Sequence, residues 1–560
     1  MTDADADSPD SPDDSAAHVA HVAHVAEDGV TESASAEAPA EPEALPPLQR
    51  FAGFAVAALG LVIIVSTLRG LEAITTIWSF DGPWHLNCGR IIVETGTVPR
   101  LDPLCFTSAK LDWINLNWLS QVLLFRLFEV FGFAGPVALA LMAAGGMVLA
   151  TICNMQRREV RPLIALPLTL AAVLPALAYT TIRPRTLSFL FIAIELALLA
   201  PRRGEDPDRL PPLRVVLLAL LLLVWNQLHG GFVYGYAILA CDAAGAALAR
   251  RVERGSAVAP RALALAAVIA LGLASFGLHP HGFAALEHAL LYPSRIAEFR
   301  EWIAELTPTD FTGLLGRTVA AQLLLLVAGL ALARRRRLRE LATILVFLHF
   351  TLLYTRMLLI AGLVLTPIAA SLLEEVLEDL ESAPAVGSPL ALLNQLLTPL
   401  WRALLWLTVA LGLIAAPLSA VLRREVVPAG ATGPLLTTPV PVEPIHALRR
   451  LGLEGPILNR YGDGGVYGWL LYPEKRLYID GRGDLHARGE TVRDWLAITR
   501  MKEGWEATLK RRRVRLAILS PEKDRALISA LSGLGWSEAW RGESRLILTA
   551  PAEPRADGGD

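Results

Sequence analysis

The chain has 560 residues, of which 53% are hydrophobic and 19% charged, with a formal net charge of −3. A charged fraction below the roughly 25% of an average soluble protein, with the apolar residues gathered into runs, excludes a single soluble globule and points to a chain that crosses a bilayer repeatedly. Four dispersed cysteines exclude a disulfide framework, and with no nucleic-acid module in the sequence, nucleic acid is excluded as a partner.

Residues 1–48 are mostly Ala, Asp, Glu, Ser and Pro, a composition that cannot bury enough surface to offset its ordering entropy. They are expected to be a disordered, acidic, cytoplasmic tail, and they lack the basic start and cleavage site of a signal peptide. Residues 49–421 are expected to form the membrane domain. A span needs about 20 mostly apolar residues, because in lipid only a helix satisfies its own backbone. A consistent set of about eleven spans is 51–68, 134–154, 163–180, 186–200, 215–228, 231–249, 262–277, 318–333, 340–353, 357–373 and 401–421. The basic clusters near 157–161, 202–214, 250–261 and 334–339 then all fall on one side. Lys and Arg are retained on the cytoplasmic side, so the reading is a multi-pass protein of a bacterial inner (plasma) membrane with a cytoplasmic N-terminus and an outer, periplasmic C-terminus. Charge inside the spans is almost confined to Glu195 and Asp242.

Two long stretches fall on the outer side, 69–133 and 278–317. In the first, a short interfacial helix is expected near 84–92 and a half-apolar helix at the membrane surface over Trp118–Phe131. Residues 422–440 read as a linker. Residues 441–552 have the composition of a soluble α/β domain, with β-like runs at 456–459, 476–480, 515–520 and 545–550 alternating with helices at 443–453, 491–509 and 521–534. That alternation predicts a small, mostly parallel sheet. No glycine-rich nucleotide motif is present, and residues 553–560 read as a disordered end. The fold class is therefore a polytopic α-helical membrane protein with a small C-terminal α/β domain.

Ionisable residues at the edge of the membrane are costly to keep and are functional candidates by default. Asp81, in SFDGPWH just beyond the first expected span, is the sharpest; His85 and Arg90 follow it. From residue chemistry alone, Asp81 as a substrate-facing carboxylate and Asp81 as the cap of the next helix are equally good readings.

The stretch DGPWHLNCGRIIVETGTVPRLDPLCFTSAKLDWINLNWLSQ resembles the first outer loop of bacterial GT-C-type membrane glycosyltransferases of the protein O-mannosyltransferase and aminoarabinose-transferase group. IRPRTLSF (182–189), WNQLHGGFVYG (225–235), HPHG (279–282) and EFREW (298–302) follow in order, and NRYGDGGVYGWLLYPEKRLYIDGRGDLH resembles the soluble tail of an uncharacterised branch. The likeness covers most of 50–550. It implies a GT-C-like fold and a cell-envelope transferase that takes a sugar from a polyprenyl-phosphate donor and passes it to a glycan, lipid or protein acceptor of unknown identity on the outer face. In that family an aspartate of the first outer loop serves as general base or orients the acceptor, a role that maps onto Asp81.

A lipid-phosphate leaving group needs positive charge and hydrogen-bond donors. Arg183 and Arg185 at a span end, and Arg356 between two spans, supply the first; interfacial anchoring is the plainer reading of the arginine pair. His229, followed by two glycines, is either a ligand-facing group or an interhelical hydrogen bond. Asp102 in LDPL is a second loop carboxylate or a turn former. In the tail, Asp480, Arg482 and Asp484 of YIDGRGDLH lie at a strand end, where ligands often bind, although an Asp480–Arg482 pair that locks the loop is the blander reading. The sequence departs from the resemblance at Asn117, where related chains often carry Glu before "WL"; Glu298, Glu301 and Trp302 are possible substitutes. No cofactor is expected, and a divalent metal stays open. A lipid-linked glycan transporter, or a non-catalytic assembly protein of the same fold, stands as the alternative.

Overall fold

In the computed structural model the described residues are 81–381, with breaks at 203, 256–258, 296–305 and 333–336, then 398, 399 and 403, and finally 440–552. The expected spans 51–68 and 401–421 fall outside them, residue 403 apart, as do both tails and Glu298, Glu301 and Trp302.

Two helices of the stretch 69–133 come first, α1 (Gly82–Thr95) and α2 (Trp118–Phe131), packed on each other. The second has the expected bounds. The first is expected at an interface but is buried along most of its length, from Gly82 to Gly89 and at Ile91 and Ile92. Its apolar face meets protein on both sides.

The bundle follows: α3 (Ala134–Arg157), α4 (Pro162–Ala178), α5 (Arg185–Leu199), α6 (Pro212–Leu228), α7 (Phe232–Arg254), α8 (Pro260–Ala274), the short α9 (Ala284–Arg295), α10 (Leu314–Leu332), α11 (Leu338–Leu353) and α12 (Leu358–Glu381). Every expected span between 134 and 373 coincides with one of these helices. Pro162, Pro212 and Pro260 open α4, α6 and α8, where a missing N–H costs nothing. Among the described residues, Ala134–Arg157, Phe232–Arg254, Pro260–Leu278 and Thr355–Val376 are long and apolar enough to cross a membrane by length and composition. Helix α3 packs on α5, α12 on α4 and α10, α11 on α7, and α8 on α6 and α7. Ile192, Trp225, Phe232, Leu265 and Phe276 fill the centre, while Leu220, Leu263, Leu324 and Leu345 stay exposed on the outside. A large apolar exterior is the mark of a membrane contact.

Because successive helices reverse, the turns at 179–184, 229–231, 275–283 and 354–357 gather at one end of the bundle. Those at 158–161 and 200–211 and the start of α11 gather at the other. Contacts confirm the second grouping: Arg158 lies 3.7 Å from Glu340 and Arg161 lies 2.7 Å from Glu374.

Beyond residue 440 the elements are α13 (Glu443–Arg450), β1 (Ile457–Asn459), α14 (Gly464–Leu471), α15 (Gly483–Ala487), α16 (Thr491–Thr499), α17 (Trp505–Arg511), β2 (Leu516–Leu519), α18 (Arg525–Gly533), β3 (Ser537–Arg541) and β4 (Leu546–Thr549). The sheet order is β1-β2-β4-β3. Only β1 and β2 are parallel; β2–β4 and β3–β4 are antiparallel, so the expectation of a mostly parallel sheet is wrong. The reason is the short link between β3 and β4, which fits a hairpin and leaves no room for a crossover helix. The helix expected over 491–509 breaks in two, with Met501 at φ 49° and Gly504 at φ 77° between the halves.

The run 476–480 is extended but is not a strand of this sheet. Leu477 bridges to Ile457 on one side and to Cys105 of the first outer stretch on the other. Phe106 N donates to Leu477 O at 2.9 Å and Leu477 N to Leu104 O at 3.1 Å. One hydrophobic core accordingly joins Trp84, Cys88, Leu104, Cys105 and Trp113 to Ile445, Tyr467, Leu477 and Ile547. The C-terminal region is bonded into the first stretch along its length.

Candidate active site

Asp81 stands at the N-cap position of α1, yet its side chain caps nothing. Its carboxylate instead meets Arg183 Nη1 at 2.9 Å, with 22% of its side chain exposed. The structure thus gives Asp81 an ion pair in place of the cap. Burial raises the Asp81 pKa above the usual carboxylate range, and the Arg183 charge opposes that rise.

The tail reaches the same carboxylate. An ideal Cβ on Gly481 would lie 1.9 Å from Asp81 Oδ1 and 3.1 Å from Trp84 Nε1. Only a residue without a side chain can sit there. Tyr461, in the 3-10 turn Tyr461–Asp463, donates its hydroxyl to Gly481 O at 3.2 Å. Burial, with Asp81 and Asp480 nearby, pushes the phenol well up, so it remains a neutral donor.

A second cation acts on this carboxylate. Arg185, at the start of α5, lies 5.5 Å over the Tyr179 ring and contributes to the potential at Asp81. Arg356, in the turn Thr355–Met357, lies 5.8 Å over the Tyr292 ring. Burial and the charges of Arg185 and Arg356 hold His229 down at about 3. His229 Nδ1 lies 2.7 Å from Ser188 Oγ and accepts from Gly231 N at 2.9 Å. An ideal Cβ on Gly231 would fall 2.4 Å from Ser188 Oγ, so the second glycine after the histidine makes this turn possible. His85 lies beside Trp84, with ring centroids 3.6 Å apart, and its Nδ1 is 3.2 Å from Gln121 Nε2. Burial, then Arg183 and His229, hold it well below the usual histidine range.

The remaining candidates form a separate layer. Arg482, 1% exposed, donates Nη2 to Asp102 Oδ1 at 2.6 Å and to Asp480 Oδ2 at 2.7 Å, with its guanidinium 4.8 Å over the Trp113 ring. Asp102 also accepts from Leu104 N at 2.8 Å and from the Ser108 hydroxyl. His486 Nε2 lies 3.0 Å from Asp480 Oδ1. Burial works against ionised Asp480, and the Arg482 charge and hydrogen bonds outweigh it, leaving the carboxyl well below its usual range. This network ties the tail loop to the first stretch behind the pocket. Asp484 turns the other way and meets His288 of α9 at 3.0 Å. Arg90 lies apart from Asp81, donating to Asn87 Oδ1 at 2.7 Å and Tyr472 O at 3.2 Å.

The ligand atoms of Cys105, Asp480 and His486 lie within 4.8 Å of one another. With Arg482 Nη2 at 2.7 Å from Asp480 and 3.7 Å from Cys105 Sγ, a cation already occupies the middle of the group, and the donors do not fit a metal ion.

Sequence reasoning did not single out Tyr461, Gly481, Tyr292 or His288. Tyr461 and Gly481 lie inside NRYGDGG and IDGRGD, and the glycine runs were the available signal.

No protein-family model and no curated protein matches the chain. Among solved structures it is similar to ArnT from Cupriavidus metallidurans, in crystal structures bound to undecaprenyl phosphate and in the apo state. In each case identity is 16%, coverage 89% of this chain and 100% of that one, and the TM-score 0.44. At that level the likeness transfers no residue role to this chain.

Proposed function

We propose that the protein is a GT-C-like glycosyltransferase that moves a sugar from a polyprenyl-phosphate donor to an acceptor hydroxyl on the outer face of a bacterial inner membrane. The observation that carries this reading is the Asp81–Arg183 pair at 2.9 Å, with the charge of Arg185 acting on Asp81 and those of Arg185 and Arg356 on His229, at one end of an apolar-sided helical bundle. In the transfer the acceptor oxygen bonds to the anomeric carbon and the bond from that carbon to the phosphate oxygen breaks. Polyprenyl phosphate leaves with the electron pair, and the acceptor proton passes to Asp81. A carboxylate lifted by burial and held ionised by an arginine suits a general base. Arg185 and Arg356 stabilise the phosphate charge.

The orientation has the same support from charge. The end opposite the pocket carries the basic turns, which favours placing that end in the cytoplasm with the N-terminus, and the pocket and tail outside.

The test is transfer from labelled polyprenyl-phosphate sugars by membranes holding the full chain or Asp81→Asn. The substitution should cut transfer by about 10²–10⁴. Because the base must be ionised, wild-type activity should fall as pH drops through the raised Asp81 pKa. Equal transfer by both proteins removes Asp81 as the base. No sugar release from any donor sinks the enzyme in favour of a transporter or an assembly protein. A reporter fused after residue 560 that is found in the cytoplasm overturns the orientation.

A further inference from the structure

Three buried polar atoms near the pocket have no protein hydrogen-bond partner among the described residues: Asn117 Oδ1, Gln227 Nε2 and His279 Nε2. Gln227 and His279 are 8% and 4% exposed. Buried polar groups in folded proteins are nearly always satisfied, so three such atoms in neighbouring segments call for a ligand or water that satisfies them.

Their chemistry is set by what holds them. Trp118 Nε1 donates to Gln227 Oε1 at 3.3 Å, which commits the amide oxygen and leaves its nitrogen as the open donor. His281 N donates to His279 Nδ1 at 3.1 Å, so the His279 hydrogen sits on Nε2. Asn115 ties the segments together, donating its backbone N–H to His281 Nε2 at 3.2 Å and accepting from Asn117 N at 3.1 Å. Residues 115–118, the end of α6 and the 279–281 turn thus make one wall. Burial and mutual proximity hold His279 at about 4, and burial with Arg100 and His288 does the same for His281. The open groups of the wall are two N–H donors and one carbonyl acceptor. The wall adjoins the cationic pocket through His229, two residues from Gln227, which feels Arg185 and Arg356.

We propose that this wall is the subsite for the transferred sugar and that it takes a neutral, hydroxyl-bearing ring in preference to an amino sugar or a uronic acid. A hydroxyl can accept from an N–H and donate to a carbonyl with one oxygen, which matches both kinds of open group in this wall. An ammonium has no lone pair for the two N–H donors, and a carboxylate has no hydrogen for the Asn117 carbonyl. The inference rests on the transferase reading above and narrows its substrate class.

The experiment uses the full chain in detergent with two probes, polyprenyl-phosphate glucose and its 4-amino-4-deoxy analogue. Turnover and the shift in melting temperature on binding are both read. Wild type should favour the neutral probe in kcat/KM by tenfold or more, on the order of what one mismatched polar contact costs. Gln227→Leu should lose most of that advantage, and the nearly isosteric Asn117→Asp should narrow it, with unliganded melting as the check that both are folded. Equal use of the probes, or a preference for the amino sugar, overturns the inference and leaves the transferase standing. A larger melting shift with the neutral probe than with the amino probe, without turnover, keeps the sugar preference as a binding property and removes the transferase. Neither shift nor turnover removes both.

Discussion

The two ends of the helical bundle use the same residue types to opposite effect. At the basic end, arginines and carboxylates are matched: Arg161 meets Glu374 at 2.7 Å, Arg337 meets Glu375 at 2.7 Å, and Asp208 takes both Arg250 at 2.6 Å and Arg254 at 2.7 Å. At the other end, Arg183 and Arg185 act on Asp81, Arg185 and Arg356 act on His229, and the histidines there are held neutral. Matched pairs hold helices together. At the Asp81 end, the ion pair with Arg183 sits beside buried histidines and polar atoms left open, which are groups that gain by receiving a polar ligand. The contrast teaches that a charge in such a chain is informative by its pairing more than by its presence.

Four substitutions or conditions would break or sharpen that contrast. The largest effect is expected at the network behind the pocket. Arg482→Met leaves Asp102 and Asp480 buried without their cation and should cost about 3–5 kcal/mol of stability, seen as a lower melting temperature. A near-unchanged melting temperature would mean that the network is not what joins the tail to the first stretch. Next, Gly481→Ala places a methyl group against Asp81 and should cut transfer roughly 10²-fold, the scale of a 1 Å misplacement, while the protein still folds. Unimpaired transfer would show that the tail does not set the Asp81 position.

At the basic end, Glu374→Gln should lower stability by about 1–3 kcal/mol and leave transfer per folded molecule unchanged. A loss of turnover there would erase the distinction between the ends. The smallest effect concerns acid. His279 and His281 titrate at about 4 in the folded protein against about 6.5 when unfolded. The unfolded chain therefore takes up protons first, and their contribution, complete above about 6.5, declines as pH falls toward about 4. Melting temperature followed from pH 7 to 4.5 should fall less steeply in His281→Asn than in wild type.

Much of the bundle is legible from sequence because a helix in lipid is a local object: its length and apolar run are its whole specification. Helix α2, with the bounds Trp118–Phe131, lies outside the spans but is legible for the same local reason, its own half-apolar run. What sequence reading lost is non-local. The run RLYID has the composition of a strand, and nothing within it says that Leu477 pairs with Leu104 and Phe106. Asn87 Nδ2 donates to Gly468 O across 381 positions, with no local signature of either partner. The role of Asp81 was open for the same reason: a cap and a substrate-facing carboxylate look identical until Arg183, far along the chain, is placed beside it. The Arg482 loop was read at strand-end level as a ligand site or a lock, and only the burial of Asp102 against it shows how completely it is closed.

The contact between Gly481 and Asp81 also has a temporal side. The carboxylate is synthesised well before the loop that walls it, with Asp102 and Arg482 separated by 380 positions. A nascent chain therefore carries Asp81 without its wall until residue 481 has been made. On the proposed transferase reading, a polypeptide stopped short of residue 480 is expected to lack transfer. Release of truncated chains from membranes, assayed for sugar transfer, would show whether activity appears only with the final segment.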